Sequence, residues 1–550
     1  MFISKHIPFW MLFALLGLLA AAPLLAVLGY TFTEEGTLSF TAFSEALHNE
    51  RILSTMEHSF VLGLLVILGT TIIALPLAII RTKTQFANKN WLDIVFTIPF
   101  MTPPYIGSMG WMQFMQHNGY YESIFTVPAP ASFFSLAGMV FIMSMHLYPF
   151  LYLMLRNTLI RINGSFQDAA DIYGRSPFMN WIRIVLPLLL STYAMASLLI
   201  FIKTLAEFGT PATFGKQIGF YVFTTEIHQY LSRWPVNISA ATSLSLILLS
   251  VCMVIWYLQN IISRRYAYGI HSGRSSIPAP KKDSQAVRII SWFYVTVILL
   301  LSIGVPYFSI VATSLLKVRG DGLQWDNITF SHYIELFSLH SEGFYALMNS
   351  FGFALVAATA AAVIGLFTAL SIKDASNKPQ KLMDLTSMMP NIIPGIVFVV
   401  GLIIFWNARW LPATIYNTKW MPIVTYIVLF LPYAVQYTKG SISQLHQSIH
   451  ASNAVYGTSK LTIFIRIWLP LLAQGILAGW IMTFIISMRE LVGSLLILPP
   501  SVSTSATFIY SQFEQGDAGA GMSMAVITVF VTILFITIMN WIQRKALTHS

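Results

Sequence analysis

Twelve apolar runs divide the chain, near positions 8–32, 57–80, 91–116, 133–157, 182–206, 238–262, 289–314, 345–371, 384–407, 420–438, 467–488 and 521–542. About 20 apolar residues in a helix cross the roughly 30 Å hydrocarbon layer of a bilayer. Inside that layer the backbone must satisfy its own hydrogen bonds, which leaves helices or closed barrels. Runs of this length choose helices. Only 9% of the 550 residues are charged and 56% are hydrophobic, against about 25% charged in a soluble domain. The expected fold class is therefore all-α integral membrane, with about 12 transmembrane helices. The first run follows Lys5 and carries Ala20, Ala21 and Ala22, as a secretory signal would, but it is too long for one and recurs later in the chain. The single Cys252 rules out an intrachain disulfide.

Most of the 31 Lys and Arg residues fall in the loops that share a side with the N-terminus, including Arg81, Lys83, Arg156, Arg264, Arg265, Lys439 and Arg544. Glu34, Glu35, Glu45, Glu50, Asp321, Asp326, Glu335 and Glu342 fall on the other side. The positive-inside rule then places both termini in the cytoplasm. The net charge of +10 is mostly this topology signal and does not point to nucleic acid.

The chain also repeats itself. DAADIYGRSPFMNWIRIVLP at 168–187 returns as ASNAVYGTSKLTIFIRIWLP at 451–470. At an offset of 283 the pairs include Ser165/Ser448, Gly174/Gly457, Ile184/Ile467, Leu186/Leu469 and Pro187/Pro470, with Pro23/Pro306, Pro149/Pro432 and Glu207/Glu490 further out. At 291 the pairs are Ser59/Ser350, Phe60/Phe351, Pro99/Pro390 and Pro103/Pro394. The change of offset falls in outer loops, and the inner loops keep register. Two homologous six-helix halves are expected, in a parallel pseudo-two-fold arrangement because six spans is an even number. The division is 1–265 for the first half, with an inner loop at 158–183; 266–287, rich in Gly, Ser, Pro and Lys, for a cytoplasmic linker; and 288–550 for the second half, with its inner loop at 440–466.

Ser165 followed by Asp168 reads as a helix start, the hydroxyl capping free amides and the carboxylate favoured by the dipole. Gly174 can take the conformation that ends the helix, and Pro187 suits the first turn of the next span. The product is a short inner helix, a turn and re-entry, built twice.

Asp168-Ala169-Ala170, three residues, Gly174, nine residues, Ile184-x-Leu186-Pro187 resembles the EAA signature of ABC-importer permeases, with Asp for Glu. The second copy keeps Gly457, Ile467, Leu469 and Pro470 but reads Ala451-Ser452-Asn453 where the family has EAA. AEFGTPATFG at 206–215, FYVFTTEIHQYL at 220–231 and RELVGSLLILPP at 489–500 are similar to the fused two-half permeases of the ferric-ion branch. The resemblance implies a type I permease of the bacterial inner membrane that takes its solute from an external or periplasmic binding protein. It implies that the two short inner helices are coupling helices gripping a separate homodimeric ATPase, which carries the ATP and Mg. Two strings are needed for two grips. The resemblance leaves phosphonate, sugar phosphate, thiamine, polyamine or sulfate open beside ferric iron.

No cofactor and no catalysis are expected of the chain itself. Gly209 to Gln217 looks like a phosphate loop, but it has five residues between its glycines and Gln217 where a magnesium-binding hydroxyl belongs, and it is assigned to an outer loop. Glu207 and Glu490 are candidates for the pathway or an outer gate, the plainer reading being interfacial carboxylates paired with Lys203 and Arg489. His146 could line the pathway or ligate a metal, the plainer reading being a hydrogen bond to a neighbouring helix. No metal site is firm. Pro99, Pro103, Pro390 and Pro394 break the third span of each half, either as discontinuous helices that line a cavity or as packing kinks. An ion-coupled secondary transporter or a channel would share the twelve spans; the former usually needs ionisable groups deep in the membrane, which are almost lacking here.

Overall fold

A computed structural model describes residues 6–34, 37–161, 179, 181–265, 284–372, 377–445, 462 and 464–548. It is helical apart from short elements such as the hairpin Thr33–Glu34 with Thr37–Leu38. Ten of its helices are long and apolar enough to cross a membrane: Phe9–Thr31, Glu50–Lys83, Leu136–Arg161, Leu186–Ala206, Ile238–Ser263, Gln285–Ser314, Glu342–Ser371, Trp420–Gln444, Phe464–Met488 and Ala518–Phe535. The two remaining runs are the third of each half, and both are broken where the prolines stand. In the first half, Trp91–Met101 ends before Pro103 and Pro104–Met115 follows. In the second, Lys378–Ile392 and Gly395–Trp406 meet at 110°. A proline supplies no amide and clashes with the preceding turn, so the ladder stops there.

The repeat is visible in backbone detail. Five-residue π-helical turns occupy Gly17–Ala21 and Leu300–Gly304, then Trp181–Val185 and Phe464–Trp468. Each leads into a helix whose second residue is proline: Pro23, Pro306, Pro187 and Pro470. The proline ring pushes away the carbonyl four residues back, and a widened turn absorbs the displacement. The second spans begin alike as well. The Asn49 side chain accepts from the Arg51 and Ile52 amides, and the Ser341 hydroxyl accepts from the Phe344 amide, each followed by a glutamate in the favourable first turn. Between two and three turns further in, Ser59 accepts from the Phe223 amide at 2.9 Å and Ser350 from the Ser505 amide at 2.7 Å.

Two compact units make up the molecule, and they cut across the repeat: 1–47 with 227–249 and 329–550, and 48–226 with 250–328. Within each unit the first span of one half packs on the third span of the other. In the unit holding most of the first half, Gly110 leaves room for the backbone of Pro306, and Thr102 and Tyr120 hydrogen-bond Tyr307 and Thr313. In the other unit, Gly401 leaves room for the backbone of Pro23. Leu16 joins Ala361, Ile372, Met383, Leu431, Ala434 and Val435 in one apolar core, with Phe9, Leu12 and Phe13 against it. Helices in lipid gain little from hydrophobicity and hold together by close packing of small residues. Gly365 and Gly479 both approach Ala434 in this way.

Candidate functional site

The loops 158–183 and 440–466 carry the motif that most resembles a functional one. Ser165, Asp168, Ala169, Ala170 and Gly174, and Ser448, Ala451, Ser452, Asn453 and Gly457, lie outside the described residues, as does the Ile184 side chain. Where the motif re-enters the described part, both copies have the same form. The π-helical turns end at Val185 and Trp468, and the α-helices begin Leu186-Pro187 and Leu469-Pro470. Leu186, Ile467 and Leu469 are exposed, as are Arg183 and Arg466 beside them.

Sequence reasoning missed the groups at the bases of these loops. Asp93, near the start of the third span, binds Arg156 in the fourth at 2.8 Å. Asp384 binds Lys439 at 2.7 Å. The aspartates correspond at the 291 offset and the cations at 283, so no single alignment displays the pair. Each cation stands five residues before the end of its helix, at Arg161 or Gln444.

The first-half pair belongs to a network. Arg81, 2% exposed, donates from Nε to Asp93 Oδ1 at 3.1 Å and from an Nη to Asp93 Oδ2 at 2.8 Å. It also reaches Asn90 Oδ1 and the carbonyls of Phe86 and Ala87, and the Tyr152 hydroxyl donates to Asp93 Oδ1. All the fork geometry of the guanidinium is used. The loop it wraps holds Lys89 4.5 Å above the Trp292 ring, beside Phe86. In the second half Ile372 and Val435 stand where Arg81 and Tyr152 would, inside the apolar core with Leu16. Asp384 Oδ1 is buried without a hydrogen-bond partner among the described residues.

Glu207 and Glu490 occupy matching positions just past the fifth spans. Both Glu207 carboxylate oxygens lie 3.1 Å from the Thr210 amide, and Glu490 accepts from the Gly493 amide at 2.9 Å. Each carboxylate caps the helical turn that follows it. Thr224 and Ser494 hydroxyls donate to the backbone carbonyls of Glu207 and Glu490, both at 2.7 Å, and Ser494 also meets the Tyr426 hydroxyl at 2.6 Å. His146 is half-buried, its ring 6.3 Å from that of Phe100. No group of three metal-ligating side chains occurs among the described residues. The run 209–217 is not an open loop: Pro211–Gly215 is a buried helical turn. A side chain at Gly209 would strike Tyr105, so these glycines serve close packing rather than a phosphate.

Residues 361–546 match the family described as binding-protein-dependent transport system inner membrane component. The chain resembles the permeases of ABC importers. It is 22% identical over 504 residues to a ferric transport system permease protein of Actinobacillus pleuropneumoniae, covering 89% of this chain and 71% of that one. It is 24% identical over 534 residues to an Fe(3+)-transport system permease protein of Haemophilus influenzae, covering 95% and 96%. A putative 2-aminoethylphosphonate transport system permease protein of Salmonella choleraesuis is 21% identical and matches 43% of this chain with 89% of its own length. The matches over 504 and 534 residues reach both halves, and the phosphonate-type relative matches a stretch less than half as long.

Proposed function

We propose that this permease passes ferric iron, delivered by an external binding protein, into the cytoplasm, driven by ATP that a separate homodimeric ATPase hydrolyses. One observation carries the choice of solute: the relatives that match 89% and 95% of the chain are both named for ferric transport, whereas the phosphonate-type relative matches 43%. The loops 158–183 and 440–466 face the cytoplasm with both termini, and Asp168 to Gly174 and Ala451 to Gly457 supply the two grips on the ATPase. The chain itself performs no chemistry, binds no cofactor and leaves ATP and Mg to the partner. Iron is the cargo here and needs no resident site, since the binding protein selects it. The repeated re-entry turns support the two-grip reading, because two structurally alike attachments suit a symmetric partner.

The test is stimulation of ATP hydrolysis in the assembled complex by the binding protein. Iron-loaded binding protein should stimulate it, and the iron-free form should not. Stimulation by a phosphonate-loaded or spermidine-loaded protein, with none from the iron-loaded one, replaces iron as the solute.

A further inference from the structure

The third span of each half is broken, and in each half one ion pair ties the near side of that break to the helix from which an inner loop departs. We infer that Asp93 with Arg156, and Asp384 with Lys439, are positioning pairs that pass the movement of each loop to the broken third span of its own half, and that the second pair is the one that opens during the cycle. The inference rests on the ATP-driven reading above.

Recurrence is the first support. Asp93 and Asp384 are identical, the cation changes from Arg156 to Lys439, and the separation stays at 2.8 and 2.7 Å. Charge is kept while side-chain shape is not, as expected where a link between two helices matters more than a particular packing. Placement is the second. Asp93 precedes Pro99 and Pro103 on Trp91–Met101; Asp384 precedes Pro390 and Pro394 on Lys378–Ile392. A pull on either aspartate therefore acts on a short rigid helix that ends at a joint.

The two links differ in strength. Asp93 is held by two guanidiniums and a phenol, and breaking it would strand Arg81, which is 2% exposed; an uncompensated buried charge is strongly unfavourable. Among the described residues the Asp384 carboxylate has Lys439 alone, with the lysine side chain 44% exposed and ready to be solvated when the pair parts. Behind it lies an apolar core of Leu16, Ile372 and Val435, which can slide without losing a hydrogen bond. One half is thus a fixed anchor and the other a movable one.

The experiment uses the whole permease with its ATPase in proteoliposomes, with iron(III) loaded on the binding protein, and counts ATP hydrolysed per iron taken up. Lys439→Met should raise that ratio by about fivefold, the lower end of ordinary coupling energies. Lys439→Arg should keep it at the wild-type value, and Asp384→Lys with Lys439→Asp should bring it back toward that value. A wild-type ratio in Lys439→Met overturns the linkage, as does failure of the charge-swapped pair to recover in a protein that assembles normally. Ile372→Arg with Val435→Tyr puts a second guanidinium and a phenol at the positions that correspond to Arg81 and Tyr152 and should slow hydrolysis and uptake together at an unchanged ratio. Wild-type speed in that variant overturns the opening of the second pair; if it does not assemble, the Lys439 series still decides the linkage. Absence of ATP-dependent uptake in the unaltered protein removes the importer reading itself, a different outcome from normal uptake with an insensitive Lys439→Met.

Discussion

A side chain on Gly110 would come within 2.7 Å of the carbonyl oxygen of Pro306, although the two residues belong to different halves of the repeat. Gly401 stands in the same relation to Pro23. Each first span is therefore fastened to the half that does not contain it. Gly110→Val and Gly401→Val should each destabilise the protein by about 1–3 kcal/mol, the range for overfilling a packed site. Gly107→Ala, three residues away in open space, should cost nothing. Thermal unfolding in detergent reads the difference, and equal behaviour of the three variants contradicts the close approach.

Glu207 and Glu490 make their hydrogen bonds to the backbone just beyond them. As caps they need an acceptor oxygen rather than a charge. Glu490→Gln should keep uptake near the wild-type rate, while Glu490→Ala should lose about 1 kcal/mol of stability. Uptake abolished in the Gln variant with stability intact would make the carboxylate charge part of the pathway.

In the loops 158–183 and 440–466, Gly174→Val and Gly457→Val should leave the protein in the membrane and weaken ATPase attachment, because the sequence predicts at each a turn that suits glycine. Asp168→Ala should weaken attachment and Asp168→Asn should not, since Asn still caps a helix. Normal complex yield in the double glycine variant sinks the grip assignment. A loss in Asp168→Asn equal to that in Asp168→Ala transfers the role from capping to charge.

Sidedness is open to direct labelling. Cys252 is buried, so the background is low. A cysteine in place of His117, whose side chain is 86% exposed, should react only with reagents outside the cell, and one in place of Ser276 only with reagents that reach the cytoplasm. Reaction of both from one side contradicts the topology.

Much of the helical architecture was legible because long apolar runs, prolines and caps act locally. The breaks at Pro103 and Pro394 and the re-entry turns before Pro187 and Pro470 follow from what proline does to its own helix. The exchange of first spans was not legible. A repeat says which residues correspond, and it is silent on whether Pro306 rests on its own half or on the other. The aspartate links were hidden for a related reason: Asp93 and Asp384 correspond at one offset, Arg156 and Lys439 at another, so alignment at either shows only half of each pair. Arg81 looked like one more inner-loop charge, and nothing in its neighbourhood along the chain announces that Asp93, Asn90 and two carbonyls surround it.

The most direct measurement is iron(III) uptake into proteoliposomes that hold the permease, its ATPase and the iron-loaded binding protein, with ATP enclosed on the ATPase side. We expect uptake that requires ATP, stops when the ATPase is inactivated and continues after proton and sodium gradients are collapsed. Uptake that persists without ATP and vanishes with the gradients would contradict an ATP-driven importer and make the chain an ion-coupled carrier.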